Sequence, residues 1–290
     1  MRWASLSETN AFKQGVLGAR AFAYTWAMAT RPDPSRQALL LDTPPPLVCT
    51  RGDLRTLEFM PGNVQSEMRL SRPSELMLAY TRAMMCFALF VPRPRHILMV
   101  GLGGGSLAKF CYRHFPQSRI TVLELRADVI ALRDQFGVPP DDARFTVVHG
   151  DAAACIAGAP DSVDVLVVDG FDETGLPPAL GSSRFYADCR RALRHGGVLV
   201  ANIFSYDPHY PAMLGRLQLM FGGQVCRLDK VAGNNRILFA VKAPFHPDPG
   251  LPRARALIVG QLLARHHGVG LGVLNRLLVR AVVGYLALRR

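Results

Sequence analysis

The sequence predicts an α/β protein: a doubly wound, mostly parallel sheet, with a small N-terminal β domain before it and a C-terminal helical tail behind. Two observations lead there. Between residues 96 and 204, the runs "HILMVGL", "ITVLEL", "FTVVHGD", "VDVLVVDG" and "GVLVANIF" are apolar almost throughout, so each is expected to be a strand buried on both faces. The stretches between several of them carry helical spacing, and a helix between two strands is the connection that parallel pairing requires.

Taken in order, residues 1–36 read as a helix that ends at Pro32-Asp33-Pro34-Ser35. Residues 37–72 form a small β-hairpin domain, in which "LVCT" and "LRTLEFM" flank the turn Arg51-Gly52-Asp53. The α/β domain runs over 73–243. It opens with a helix from Pro73 to Phe90, where Leu76, Ala79, Tyr80, Ala83 and Phe87 fall on one face. The later helices are "GSLAKFCYRHF", "ADVIALRDQF", "SSRFYADCRRAL" and one near 210–221. "QVCRLDKV" and "NRILFAVK" flank Ala232-Gly233-Asn234-Asn235 and close the sheet as an antiparallel hairpin. Residues 244–290 are a basic helical tail. Its Leu271, Leu274, Leu278, Ala281, Tyr285 and Leu288 recur in steps of three and four, which predicts a stripe packed on its own domain or on a twin subunit. A basic helix resting on a membrane surface is the alternative.

Composition narrows the function classes. The net charge is +12, but half of that excess sits in 244–290, which carry seven arginines against the single acid Asp248. No basic stretch is interleaved with aromatics, so no nucleic-acid partner is expected. The six cysteines are scattered without a CxxC pair, which argues against a zinc site or a disulfide framework and for a reducing, cytoplasmic location. No metal site is expected. The N-terminal "VLGARAFAYTWAMA" imitates a signal peptide, but Arg20 interrupts it, and no 18-residue stretch is free of charge.

In a doubly wound sheet, ligands lie beyond the carboxyl ends of the strands. Here those ends carry Gly101-Leu102-Gly103-Gly104-Gly105, then Glu124, Gly150-Asp151, Asp169-Gly170-Phe171-Asp172 and Asn202. The glycines suggest that something approaches the backbone too closely for a β-carbon. Glu124, one strand later, can accept both hydroxyl hydrogens of a ribose. Asp151 can accept from an adenine amino group or cap the helix that starts at Ala152, and its residue type alone does not decide between them. A nicotinamide dehydrogenase would carry GxGxxG, where this chain has Ser106 at the last position, and Asp169 and Asp172 have no simple part in hydride transfer. The acids suit a cationic ligand, and an S-adenosyl sulfonium nucleoside offers ribose, adenine, positive sulfur and amine together.

At "ILMVGLGGGSL", "VLEL", "VVHGDA", "DVLVVDGFDETG" and "FYADCRRALRHGGVLVANIF" the chain resembles the spermidine synthase family of aminopropyltransferases, within the class I methyltransferase fold. That resemblance implies a homodimer, a polyamine or other amine acceptor such as putrescine, and decarboxylated S-adenosylmethionine as donor. It places Gln65 and the glycines Gly101, Gly103, Gly104 and Gly105 beside the donor, Glu124 on its ribose and Asp151 on its adenine. Asp169 would be the general base on the acceptor amine, and Asp172 would help anchor an amine. One departure stands out: the family carries an acid in the glycine loop, where this chain has Gly104. S-adenosylmethionine-dependent methyl transfer and a non-catalytic nucleoside-binding relative are therefore the alternatives. Glu67, Glu75 and Tyr80 lie near the family's upstream acceptor motif but at a different spacing.

Overall fold

The computed structural model describes residues 44–170, 175–242, 258–259 and 272–288. The expected N-terminal helix over 1–36, Asp172 and Glu173 lie outside the described residues.

Three strands form a small antiparallel sheet in the order β1-β2-β3: β1 (Leu47–Arg51), β2 (Leu54–Glu58) and β3 (Val64–Arg69). The turn at Gly52-Asp53 joins the first two as expected. The third strand had no clear signal, because its inward positions are Ser66 and Met68 and a buried serine breaks the apolar alternation. Ser66 sits inward to accept a hydrogen bond from Gly104 N–H at 2.9 Å.

The segment after β3 departs from the expected helix over 73–90. Residues 73–78 are turn and extended chain. Helix α1 (Ala79–Met84) starts only after Leu78, whose ψ of 138° is not helical, and a 3-10 turn (Met85–Leu89) follows. Arg82 Nη1 donates to the carbonyls of Leu76 and Met77, so those groups are satisfied without a helix.

The large sheet has seven strands in the order β6-β5-β4-β7-β8-β10-β9. They are β4 (His96–Val100), β5 (Arg119–Glu124), β6 (Phe145–His149), β7 (Val163–Val168), β8 (Leu193–Phe204), β9 (Val225–Ala232) and β10 (Asn235–Val241). Pairing is parallel from β6 through β8, and β10 and β9 close the edge antiparallel. Between them run α2 (Ser106–His114), α3 (Ala127–Ala131), α4 (Ala152–Ala157), α5 (Ser183–Ala192) and α6 (Tyr210–Met220). Alternate residues of each central strand feed two cores. Ile97, Met99, Val165 and Val167 face one, while Leu98, Val100, Leu166 and Val168 face the other, which is why these strands read as continuous apolar runs.

Helix α7 (Gly272–Leu288) is the longest described part of the tail, with residues 258–259 the other. The stripe expected to pack inward is largely the outward one: Leu274, Ala281, Tyr285 and Leu288 are exposed, whereas Val279, Val282 and Leu286 enter the core. A helix apolar nearly all round offers two candidate stripes, and spacing alone could not choose between them.

Candidate active site

Because the parallel strands all end at one rim, the chain brings its loops together there. They enclose a cavity of about 620 Å³, a size that suits a nucleoside with a short chain. Gly101, Gly103, Glu124, Asp151 and Asp169 line it, and the small sheet contributes Gln65 and Ser66. Of the described residues expected at the site, Gly104 and Gly105 alone lie outside this lining.

What crowds the glycines is largely the protein itself. Gly101 takes a φ of +92°, and a β-carbon there would run into the backbone of Asp169. At Gly104 a β-carbon would meet Phe136 Cδ1 and Ser66 Cβ, each at 2.9 Å. The expectation that all four glycines clear space for a ligand is therefore corrected. Gly101 and Gly103 border the cavity, while Gly104 and Gly105 clear space for Ser66, Phe136 and Val138.

Glu124 ends β5 and is 9% exposed. Its Oε2 accepts from Leu102 N–H and its Oε1 from Arg126 N–H, both at 2.8 Å. Burial pushes its pKa up, and these backbone donors oppose the shift. Leu125 N–H acts on the same carboxylate, so it is aimed before anything binds and keeps acceptor capacity for a ligand hydroxyl. Asp151 caps α4, its Oδ1 accepting from Ala153 N–H at 2.8 Å, and it also borders the cavity. The two roles left open by its residue type are compatible in space. Gln65 Nε2 donates to Asn63 Oδ1 at 3.1 Å on the rim.

Asp169 ends β7. Its Oδ1 accepts from Asn202 Nδ2–H at 2.9 Å, and Asn202 Oδ1 accepts from Asn235 Nδ2–H at 2.9 Å. The Tyr80 hydroxyl donates to the same carboxylate. Burial raises the Asp169 pKa to about 6, against the pull of Asn202 and Tyr80. A carboxyl poised there can take up a proton near neutral pH. Sequence reasoning noted Tyr80 and Asn202 without giving them roles and missed Asn235 and Ser66. Two asparagines at the ends of β8 and β10 were the signal available, since a buried strand end seldom keeps an amide without a partner.

A doubly wound sheet with this strand order and a rim cavity of this composition defines the class I methyltransferase-like fold. Within it, the family model described as "Spermine/spermidine synthase domain" matches residues 77–211. The polyamine aminopropyltransferase of Neisseria meningitidis serogroup A is 36% identical over 198 residues, covering 68% of this chain and 75% of that protein. This chain belongs to the spermidine synthase (polyamine aminopropyltransferase) family, a family of enzymes. Among solved structures, a probable spermidine synthase from Corynebacterium glutamicum superposes with a TM-score of 0.61 at 22% identity, over 78% of this chain and 94% of that one. Human methyltransferase-like protein 13 in complex with SAH gives 0.50 at 27% identity, over 66% and 92%.

Proposed function

We propose that this protein transfers an aminopropyl group from decarboxylated S-adenosylmethionine to the nitrogen of a polyamine acceptor such as putrescine. The observation that carries this is the Asp169 carboxylate, held by Asn202 and Tyr80 in the same cavity as Glu124. Glu124 takes the ribose and Asp151 the adenine, with Gln65 beside the donor. An amine attacks only as the free base, and acceptors of this class arrive protonated. Asp169 attracts and orients the cation, then accepts its proton. The C–N bond forms as the C–S bond breaks, and that electron pair neutralises the sulfonium to a thioether. Asp172 would hold an amine of donor or acceptor.

The family's homodimeric assembly belongs to the same proposal. The partly exposed apolar residues Leu47, Leu54 and Val64 of the small sheet support a partner on that side.

S-adenosylmethionine-dependent methyl transfer is the alternative, favoured by one observation. The glycine loop offers no carboxylate for a donor amine, since residues 101–105 contain no acid, and Phe136 and Ser66 fill the space beside Gly104. Incubating the enzyme with each donor and a panel of amines, then weighing the products, decides it. Aminopropylated product from the decarboxylated donor alone supports the proposal, and methylated amine overturns it.

A further inference from the structure

Helix α7 is fastened to the body along one side. Val279, Val282 and Leu286 enter the core, Asn275 Nδ2 donates to Asp229 O at 3.1 Å, and Arg276 Nη1 donates to Lys230 O at 3.0 Å. Its outer side is nevertheless apolar. Leu274 is 55% exposed, Leu277 53% and Leu288 84%, with Val273 and Tyr285 also exposed. At about 100° per residue, Leu277, Ala281 and Leu288 stand opposite the buried Val279 and Leu286, and Val273, Leu274, Gly284 and Tyr285 widen the stripe. Arg276 and Arg280 fall together on one flank, where Lys230 of β9 is also exposed.

The charges choose the occupant. No acid occurs anywhere in residues 249–290, which carry seven arginines. If two copies of α7 paired antiparallel about a two-fold axis, the arginine flank would lie against itself, with no carboxylate of the helix to answer it. An anionic lipid surface supplies what is missing: phosphates for the flank and acyl chains for the stripe. Among the described residues no helix is long and apolar enough to cross a membrane, and α7 is already held on its inner side. We propose that the outer face of α7 seats this protein on anionic membrane surfaces, with Val273, Leu274, Leu277, Tyr285 and Leu288 at the acyl boundary and Arg276 and Arg280 at the phosphates. Arginine stems can lie along apolar surface while their heads reach the phosphates.

Flotation of the full chain tests this, using phosphatidylcholine vesicles with and without about one quarter phosphatidylglycerol. The protein is expected to float with the anionic vesicles alone and to be released by salt. The pair Leu274→Ser and Leu277→Ser should weaken this about tenfold or more, since two exposed leucines lose their burial. Both positions face solvent, so an unchanged melting temperature and unchanged nucleoside affinity will certify the variant. Arg280→Glu is the second variant and should weaken binding to the anionic vesicles in particular. No flotation of the wild type would overturn the proposal, as would flotation that survives both variants. A serine variant that loses self-association in sedimentation velocity, with no vesicle binding by the parent, would assign the face to a second copy instead.

Discussion

At the scale of single residues, the site rests on two carboxylates, Glu124 buried and Asp169 half-buried, whose surroundings differ. Asp169 meets two side-chain donors and is pushed up to about 6, so its free-base form is lost as pH falls through that value. Turnover should therefore show an acid limb with a midpoint near 6. Asp169→Asn keeps the shape but accepts no proton, and should lower turnover by about a hundredfold or more and abolish that limb. A pH–rate profile of the folded variant that keeps the limb would assign the base elsewhere. Glu124, by contrast, is held by Leu102 and Arg126 N–H groups, and the ligand group proposed for it is a neutral diol. Glu124→Ala should cost about 1.5–3 kcal/mol of nucleoside binding, read by calorimetry with methylthioadenosine. Gly104 is different in kind. With Phe136 and Ser66 each 2.9 Å from the β-carbon it lacks, Gly104→Ala should overpack the loop and cost about 1–3 kcal/mol of stability. A denaturation midpoint equal to the parent's would show that the loop gives way, and that an acid could be accommodated there.

At the scale of elements, the parallel strands were legible because burial on both faces makes each one uniformly apolar, and their carboxyl ends gave Glu124, Asp151 and Asp169 directly. Gly104 and Gly105 were legible as glycines but not as to cause, since the atoms that exclude a β-carbon come from β3 and from residues 136 and 138. Sequence spacing carries no record of such distant neighbours. Strand β3 was hidden by Ser66, and the late start of α1 by side chain–backbone bonds from Arg82 that no local propensity encodes. The β9–β10 hairpin was expected simply to close the sheet, yet it delivers Asn235 to the amide that donates to Asp169. That placement has a measurable consequence. With Asn235→Ala, Asn202 loses the group that orients it, and its hydrogen bond to Asp169 weakens. Since that bond lowers the Asp169 pKa, the acid limb should move to higher pH. A limb that stays in place would reduce Asn235 to a structural part of the turn.

At the scale of the whole molecule, the site's chemistry is coupled to stability, because a group that titrates differently in the folded chain changes the folding equilibrium with pH. Between about pH 4.5 and 6, two strongly shifted groups oppose each other. His96 is 1% exposed, donates from Nδ1 to Ser162 O, and is brought down to about 4, chiefly by burial. Over this range the unfolded chain binds the proton more readily at His96, so that residue makes stability rise with pH. Asp169 does the reverse. Its folded value of about 6 lies above the ordinary aspartate value of 3.8, the native state holds the extra proton, and its contribution falls as pH rises. Glu124, also raised by burial, acts in the same direction as Asp169. The wild type should therefore melt at a nearly level temperature across this window. Asp169→Asn removes the larger falling contribution and leaves, among the described carboxyls raised by burial, Glu124 alone to oppose His96. The variant's stability, followed by its melting temperature, should then climb from pH 4.5 to 6 by at most about 1.4 kcal/mol per pH unit. Calorimetric scans of both proteins in matched buffers measure this directly. Parallel curves for parent and variant would mean that Asp169 titrates in the folded chain as it does in the unfolded one, and the base assigned to it would then lack the pKa its mechanism needs.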